Sequence, residues 1–332
     1  MTWSIGIELP DLPAALWELV RQIPQGRVTT YGDLAEALGS RQAARWVGEH
    51  LVDHPHDTDC PCHRVVRRTG EAGLFVTRAA GEKESLLAAE GIAIRDGRID
   101  LERHRFTDFV TERPLAPLVQ FQERIPEQVV MQPFAGTPEL VAGVDVAYSA
   151  SGEACGAYVL LETATGEVVW SATVRRPAAF PYIPGFLSFR EIPVHLELLA
   201  AAAAAGRLAR VLFVDGNGRL HPRRSGIATH LGVLAGIPTI GLGKSLLCGS
   251  VDLAAVTVDD PQPVVDRGEI VAVAMKATPR SRPVYVSPGN LIDVADAARL
   301  ARLTFRGHRL PEPVHQADRR SKEEVRRIKY EE

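Results

Sequence analysis

The chain has 332 residues, of which 45% are hydrophobic and 24% are charged, and its formal net charge is −3. The ordinary apolar fraction excludes a disordered or low-complexity protein, and the length favours two domains of usual size. The small net charge argues against a histone-like, purely electrostatic binder of nucleic acid, although a local basic groove remains compatible with it. We find no apolar run long enough to cross a bilayer and no leader-like start, so we expect a monomeric cytoplasmic protein with reduced thiols and no membrane association.

The first segment of the sequence has a helical pattern with one short extended piece. The predicted elements are a helix at 12–23, an extended stretch at 28–31, a helix at 33–38 and a helix at 40–51. Gly39 ends the second of these helices, and Ser40 is a candidate N-cap for the third. Two short helices around a glycine turn are typical of a helix-turn-helix, although an ordinary helical hairpin gives the same pattern.

A bridge rich in charge and proline, residues 101–136, precedes a second segment in which strands and helices alternate. We place the domain boundary near Thr111, which gives domains at 1–110 and 111–332. The bridge has one candidate helix, at 118–128. Predicted strands follow at 140–146, 157–161, 168–174, 210–214, 238–241, 270–274 and 283–286, with helices at 192–205, 224–234 and 292–303. An antiparallel meander followed by alternating units predicts an α/β fold with a mixed sheet and helices on its faces, after a winged-helix-like first domain. Residues 321–332 are mostly charged and predict a frayed helix or a tail.

Cys62 is the candidate nucleophile of the first segment. A thiol reacts as its thiolate, and a neighbouring imidazole such as that of His63 favours this form. Neighbouring side chains of an extended segment point in opposite directions, so adjacency alone is a weak signal. Zinc binding is an alternative, although the spacing is not that of a zinc knuckle. The side chains with suitable ligand atoms are Cys60, Cys62, His63 and either His54 or His56.

Four stretches of the first segment resemble the C-terminal, DNA-binding and active-site domain of O6-alkylguanine-DNA alkyltransferases. They are IPQGRVTTYGDLA at 23–35, QAARWVG at 42–48, PCHRVV at 61–66 and KESLLAAEG at 83–91. The order and spacing of these stretches make the resemblance specific, and it covers residues 12–98.

This resemblance implies a suicide reaction on DNA. An alkylated guanine would be flipped out of the duplex, and Cys62 would take the alkyl group without being regenerated. His63, through a water, and Glu90 would form the relay that deprotonates Cys62. Arg45 would fill the gap that the flipped base leaves, and Tyr31 would contact the phosphate of the target nucleotide.

Three departures from the family pattern surround this centre. His54 precedes a proline where the family usually has asparagine, the loop at 74–78 replaces one of the Asn-Tyr-Ser-Gly type, and Cys60 replaces an apolar residue. An alternative is therefore a domain that binds DNA or senses alkyl lesions without transfer. The non-catalytic relatives typically lack the cysteine, so Cys62 argues against that alternative.

Three acids of the second segment, Asp145, Glu191 and Asp215, follow or end apolar runs. Carboxylates from separate strand ends can converge and supply the hard oxygen ligands that Mg²⁺ prefers. Any one of them alone is more simply explained as a turn residue or a helix cap.

The sequence stretches around these acids closely resemble endonuclease V, over about residues 115–320. They are VAGVDVAY at 141–148, FPYIPGFLSFRE at 180–191, VDGNGRLHPRR at 214–224, IPTIGLGKS at 237–245 and VYVSPGN at 284–290. The resemblance implies a ribonuclease-H-like fold. It also implies Mg²⁺-dependent hydrolysis, with Mn²⁺ as a substitute, of the second phosphodiester 3′ to a deaminated base, chiefly hypoxanthine. The products would be a 3′-hydroxyl and a 5′-phosphate.

The same resemblance implies a role for each matching position. Asp145, Glu191 and Asp215 would be the catalytic carboxylates that hold the metal, and Lys244 would lie near the scissile phosphate. The base pocket would involve His221 and the backbone at Gly216 and Gly218. The wedge that separates the strands at the lesion would consist of Pro181, Tyr182, Ile183 and Pro184, since a tyrosine between prolines is rigid and can stack. Asn290 departs from the family, which commonly has histidine there.

The sequence therefore predicts a bifunctional DNA-repair enzyme that acts on double-stranded DNA containing hypoxanthine or O6-alkylguanine. One alternative is an endonuclease V whose first domain only recruits DNA. Another is a transcriptional regulator with a ligand-sensing second half, which leaves the three acids unexplained.

Overall fold

The structure is a computed structural model that describes residues 3–55 and 60–331, so the candidate zinc ligand His56 lies outside the described residues. Contacts divide the chain into two compact units. The smaller unit comprises Leu9–Gln120 and Pro181–Phe186, and the larger comprises Met1–Glu8, Phe121–Phe180 and Leu187–Glu332. The domain boundary near Thr111 stays a prediction.

The smaller unit is mainly helical. Its elements are α1 (Leu12–Val20), β1 (Thr29–Thr30), α2 (Tyr31–Ala37), α3 (Ala44–Asp53), β2 (Val65–Val66), α4 (Glu82–Ala89), β3 (Ile94–Arg95), β4 (Arg98–Ile99) and α5 (Leu101–His104), while α6 (Ala116–Arg124) begins in this unit and ends in the larger one. The short strands β1 and β2 pair in parallel, with Thr30 opposite Val66. This pairing brings the start of α2 next to the strand that follows Cys62.

Helices α2 and α3 form the predicted pair around a glycine turn. A capping box starts α2: the Thr30 hydroxyl accepts from the Asp33 amide at 3.1 Å, and the Asp33 carboxylate accepts from the Thr30 amide at 3.1 Å. The prediction that Ser40 caps the next helix is wrong. The chain first tightens into a 3-10 turn, α3 begins only at Ala44, and the Ser40 side chain makes no capping bond.

The larger unit is built on an eight-stranded sheet within the described residues, in the order β10-β11-β12-β9-β8-β5-β6-β7. Its strands are β5 (Leu140–Tyr148), β6 (Glu153–Glu162), β7 (Val168–Pro177), β8 (Leu212–Asp215), β9 (Thr239–Gly243), β10 (Gln262–Asp266), β11 (Glu269–Met275) and β12 (Val284–Asn290). Its other helices are α7 (Leu187–Ala204), α8 (Ile227–Ala235), α9 (Val294–Leu303) and α10 (Glu312–Glu331). Strand β8 pairs in parallel with β5 and β9, and the other pairs are antiparallel. The predicted mixed α/β sheet and its opening meander are therefore confirmed.

Helix α10 is not the frayed tail that its charge predicted. Its buried positions recur at helical spacing and include Val314, Ala317, Ser321, Glu324 and Ile328. The helix lies close to β5 at Gly143, where a Cβ atom would be 2.1 Å from the carbonyl oxygen of Pro313. The charges that predicted a tail therefore belong mostly to the outer side of a docked helix.

We also searched the described residues for a segment that could cross a bilayer. No helix among them combines sufficient length with sufficient apolar character.

Candidate active sites

The first site is formed in the smaller unit by the turn that carries Cys62. Residues Pro61–Arg64 form a 3-10 turn directly before β2, with Pro61 at its start, where a missing N–H costs nothing. The Cys62 side chain is 3% exposed. The turn thus holds the sulfur inside the unit and leaves His63 and Arg64 to project elsewhere.

His63 and Glu90 are in direct contact, as the relay predicted from the alkyltransferase resemblance requires. His63 Nε2 lies 2.8 Å from Glu90 Oε1, and Glu90 also accepts from Arg64 Nε at 2.9 Å and from the Gly26 amide at 3.1 Å. Burial alone would raise the pKa of Glu90, but the bonds from Arg64, His63 and Gly26 hold it below its usual range. Sequence reasoning missed Arg64 and Gly26, which keep this carboxylate charged and fixed.

The contacts of the Cys62 thiol disfavour its thiolate form. A hydrogen bond with Cys60, burial and the proximity of the Cys60 sulfur all raise the pKa of Cys62, whereas the nearby Lys83 lowers it. Lys83 is a buried lysine that sequence reasoning quoted only within a matching stretch. Its ammonium donates to the carbonyl of Val65 at 2.6 Å and of Leu74 at 3.2 Å, and burial lowers its pKa to about 8.

The two residues predicted to contact DNA near this centre share a surface cavity of about 340 Å³. Tyr31 and Arg45 both line it, together with Arg67, Leu74 and Arg78. Arg45 is exposed and is held by Glu49 at 2.7 Å. The loop at 74–78, which departs from the family pattern, therefore lines the same cavity as the residues predicted to contact DNA.

The second site lies in the larger unit, where β5 and β8 run side by side. Val144 pairs with Val214, so the next residues, Asp145 and Asp215, are neighbours on parallel strands. Asp215 ends β8 as predicted, but β5 continues past Asp145 to Tyr148. Glu191 lies inside α7, because the helix begins earlier than its apolar pattern predicted.

A third aspartate, Asp318 of α10, joins the pair and was missed from the sequence. Carboxylate oxygens of Asp145, Asp215 and Asp318 lie within 4.8 Å of one another. The available signal was weak, since Asp318 stands among charged residues just before the segment that was predicted to be a frayed helix or a tail.

This cluster has the electrostatic character of a cation site. Burial and, after it, repulsion by Asp215 raise the pKa of Asp145 well above its usual value. The same two causes raise the pKa of Glu191 to about 8. Lys244 Nζ lies 2.5 Å from Asp215 Oδ2 and 3.8 Å from Asp318 Oδ1. Buried acids that repel one another around a lysine fit a divalent cation with oxygen ligands.

One cavity of about 610 Å³ collects the predicted catalytic residues of this unit. Its lining includes Asp145, Glu191, Asp215, Gly216, Lys244 and Asp318. Lys322 and Arg326, two exposed cations of α10, also line it. The cavity can therefore hold a cation beside a phosphate, with basic side chains in its lining.

The two backbone amides predicted to read the base donate to other groups of the protein, and the predicted histidine is not among the cavity's described lining residues. Gly216 has φ +142° and a Cβ there would lie 2.3 Å from Ile227, so only glycine fits, but its amide already donates to Leu242 at 3.1 Å. The Gly218 amide donates to the Ser287 hydroxyl at 2.8 Å. His221 is not among the described residues that line the cavity, and burial lowers its pKa to about 4.

Two residues of the predicted wedge, Tyr182 and Pro184, are exposed. Tyr182 is 53% exposed, whereas Ile183 is buried. Asn290, where the family commonly has histidine, bonds to the backbone: it accepts from Val130 at 2.9 Å and donates to Gly232 at 3.0 Å. Its side chain therefore ties β12 to neighbouring segments.

Comparison with known proteins assigns each region to a family. The sequence model of endonuclease V matches residues 123–319, and that of the 6-O-methylguanine DNA methyltransferase DNA-binding domain matches residues 11–92. The crystal structure of human ENDOV covers 64% of this chain and 99% of its own, with 34% identity and a TM-score of 0.60. Endonuclease V of Ciona intestinalis, crystallised with a 24mer DNA containing an inosine followed by a ribo-adenosine, covers 65% of this chain at 26% identity and a TM-score of 0.59.

Some relatives span both regions at once. The bifunctional methyltransferase/endonuclease of Picrophilus torridus is 35% identical over 90% of this chain and 92% of its own length. Because the endonuclease V model matches more than half of the chain and this relative is similar over nearly its whole length, the chain belongs to the endonuclease V family, among its bifunctional methyltransferase/endonuclease members.

Proposed function

We propose that this chain repairs DNA by two separate reactions, nicking beside hypoxanthine in its larger unit and removing alkyl groups from O6-alkylguanine in its smaller unit. The observation that carries the proposal is that each unit contains its own reactive group together with that group's partners. Cys62, His63 and Glu90 belong to one unit, and the carboxylate cluster belongs to the other.

In the nuclease reaction, Asp145, Asp215 and Asp318 hold the metal on which this family depends, with Glu191 facing the same cavity. We propose Mg²⁺, with Mn²⁺ as a substitute, because every candidate ligand is a hard carboxylate oxygen. The bound ion would supply charge neutralisation at the phosphate and a more acidic water. Lys244 places a second positive charge beside Asp215 and limits the repulsion among the acids.

In the alkyl transfer, the Cys62 sulfur attacks the alkyl carbon. The S–C bond forms as the bond from carbon to O6 breaks, and the electron pair leaves with guanine. The thiol proton passes through a water to His63, and the charged Glu90, which contacts His63, stabilises the resulting imidazolium. Tyr31 and Arg45, at the shared cavity, position the DNA.

A second candidate for the smaller unit is lesion sensing without transfer, and one observation favours it. Hydrogen bonding to Cys60 and burial raise the pKa of Cys62, which is opposite to the shift that activates a thiol. Transfer therefore requires that DNA binding rearranges these contacts.

The test measures both activities on the full chain. Intact-protein mass after incubation with an O6-methylguanine duplex should increase by one methyl group, and an inosine duplex should be nicked with Mg²⁺ and not in excess EDTA. Cys248→Ser, a change at a thiol of the larger unit, serves as the matched control and should accept methyl normally. Nicking without any mass increase would favour the sensing alternative. The absence of both activities would refute the proposal.

A further inference from the structure

A second group of potential metal ligands lies in the smaller unit, and the proposed reactions leave two of its members unused. His54, Cys60 and Cys62 are all buried, at 5%, 7% and 3% exposure. One ligand atom from each lies within 4.8 Å of the others, and Cys60 Sγ is 3.4 Å from His54 Nε2. His63, which the sequence offered as a ligand, is instead held by Glu90.

The imidazole of His54 is oriented for ligation. Its Nδ1 lies 2.9 Å from the carbonyl oxygen of Leu51, and because a carbonyl only accepts, Nδ1 carries the hydrogen. Nε2 therefore presents its lone pair towards Cys60. Metal-binding histidines commonly use this arrangement, with the second ring nitrogen donating to a backbone carbonyl. The edge of the Trp17 ring, 4.8 Å away between centroids, also restrains the imidazole.

The spacing also fits a tetrahedral ion. Bonds of about 2.3 Å to sulfur and about 2.0 Å to nitrogen place neighbouring ligand atoms roughly 3.6 Å apart, close to the 3.4 Å between Cys60 and His54. Two thiolates, a neutral imidazole and a dication carry no net charge together, so such a site can be buried without an unpaired charge.

We infer that His54 Nε2, Cys60 Sγ and Cys62 Sγ bind a thiolate-preferring divalent cation of the Zn²⁺ class, separately from the carboxylate site of the larger unit. Soft sulfur ligands select Zn²⁺ over Mg²⁺, so the two sites differ in the ion they take. Cys62 cannot serve this ion and attack an alkyl group at the same time. Metal binding is therefore a reversible block on the acceptor thiol, a consequence that rests on the proposed transfer.

The site is tested with Cd²⁺, whose bonds to thiolate give an ultraviolet charge-transfer absorption that carboxylates do not give. Metal-free full-length protein should develop this absorption up to a single equivalent of Cd²⁺. Cys60→Ser should remove about half of it. His54→Asn should keep the absorption but weaken Cd²⁺ binding by more than ~10-fold, because changes that only touch a ligand's outer partner already cost 10–100-fold. Cys248→Ser, the matched thiol control, should bind as the wild type does.

Three outcomes would contradict the proposed metal site. No absorption in the wild type overturns the site, and so does an equal loss in Cys248→Ser or full, tight binding in both Cys60→Ser and His54→Asn. Inosine nicking by each variant shows that the larger unit is folded, and a cooperative thermal unfolding transition of the smaller unit shows that the unit carrying the substitution keeps its fold. The block is then tested with Zn²⁺: loaded protein should accept methyl at least ~10-fold more slowly than metal-free protein. If metal-free protein accepts none, the proposed transfer fails while the Cd²⁺ result still stands.

Discussion

Replacing Asp318 by asparagine separates a metal ligand from a merely structural acid, because the two roles change stability in opposite directions. Oxygens of Asp318, Asp145 and Asp215 lie within 4.8 Å of one another. At an effective dielectric constant of about 20, two charges at that distance repel by on the order of 3 kcal/mol. The lost ion pairs with Lys322, at 2.6 Å, and with Lys244, at 3.8 Å, are partly exposed and contribute under about 1 kcal/mol each. Without metal, Asp318→Asn should therefore raise the free energy of unfolding by roughly 1–3 kcal/mol.

With bound metal, the wild type should be more stable than Asp318→Asn. The variant has one charged ligand fewer, so Mg²⁺ should stabilise it less and inosine nicking should fall steeply. Thermal unfolding in EDTA and in Mg²⁺, beside a nicking assay, measures both effects, and about 1 kcal/mol corresponds to roughly 2–4 °C in a unit of this size. Glu323→Gln, an exposed acid of the same helix paired with Arg319, is the control and should change neither quantity. An Asp318→Asn protein that is less stable in EDTA, or that nicks normally, would refute the assignment.

Three further predictions address the rest of the molecule. Cys62→Ala should abolish methyl uptake by mass and leave nicking unchanged, and Asp215→Asn should do the reverse; loss of both activities in a folded Cys62→Ala protein would contradict separate sites. Tyr182→Ala should weaken binding to an inosine duplex by about 1–3 kcal/mol, as measured by titration, because its exposed ring is free to stack. Burial lowers the pKa of His230 from 6.5 to about 3, so the stability it contributes above pH 6.5 is lost as the pH falls. Between pH 8 and pH 5 this loss is about 2 kcal/mol, and it should be absent from denaturation curves of His230→Phe.

Part of this architecture could be predicted from local patterns. Successive apolar runs predicted the meander, and the runs that end at Asp145 and Asp215 predicted that these acids converge. Strand β10 was missed because Gln262–Asp266 mixes a proline and polar residues within five positions. An edge strand needs only one apolar face, so its pattern is too weak to recognise alone.

The parts of the sites that sequence reasoning missed depend on tertiary contacts. Asp318 reaches the cluster only because α10 docks against β5 through small residues and the glycine at 143. Ala317 and Ser321 are buried there, but neither is apolar enough to mark a buried helix face. Lys83 was likewise unremarkable in sequence, and its carbonyl partners are set by the turn that folds over it.

The raised pKa of Cys62 is consistent with single use of the thiol. An acceptor that is not regenerated is inactivated by any alkylating agent or oxidant that reaches it, and both react with the thiolate far faster than with the thiol. A buried, protonated Cys62 is therefore protected while no lesion is present. Glu90 meanwhile holds His63 ready to accept the proton once DNA changes the contacts around the sulfur. The low reactivity of the free protein and the proposed transfer are thus compatible, because reactivity that depends on a bound lesion limits alkylation to the intended substrate.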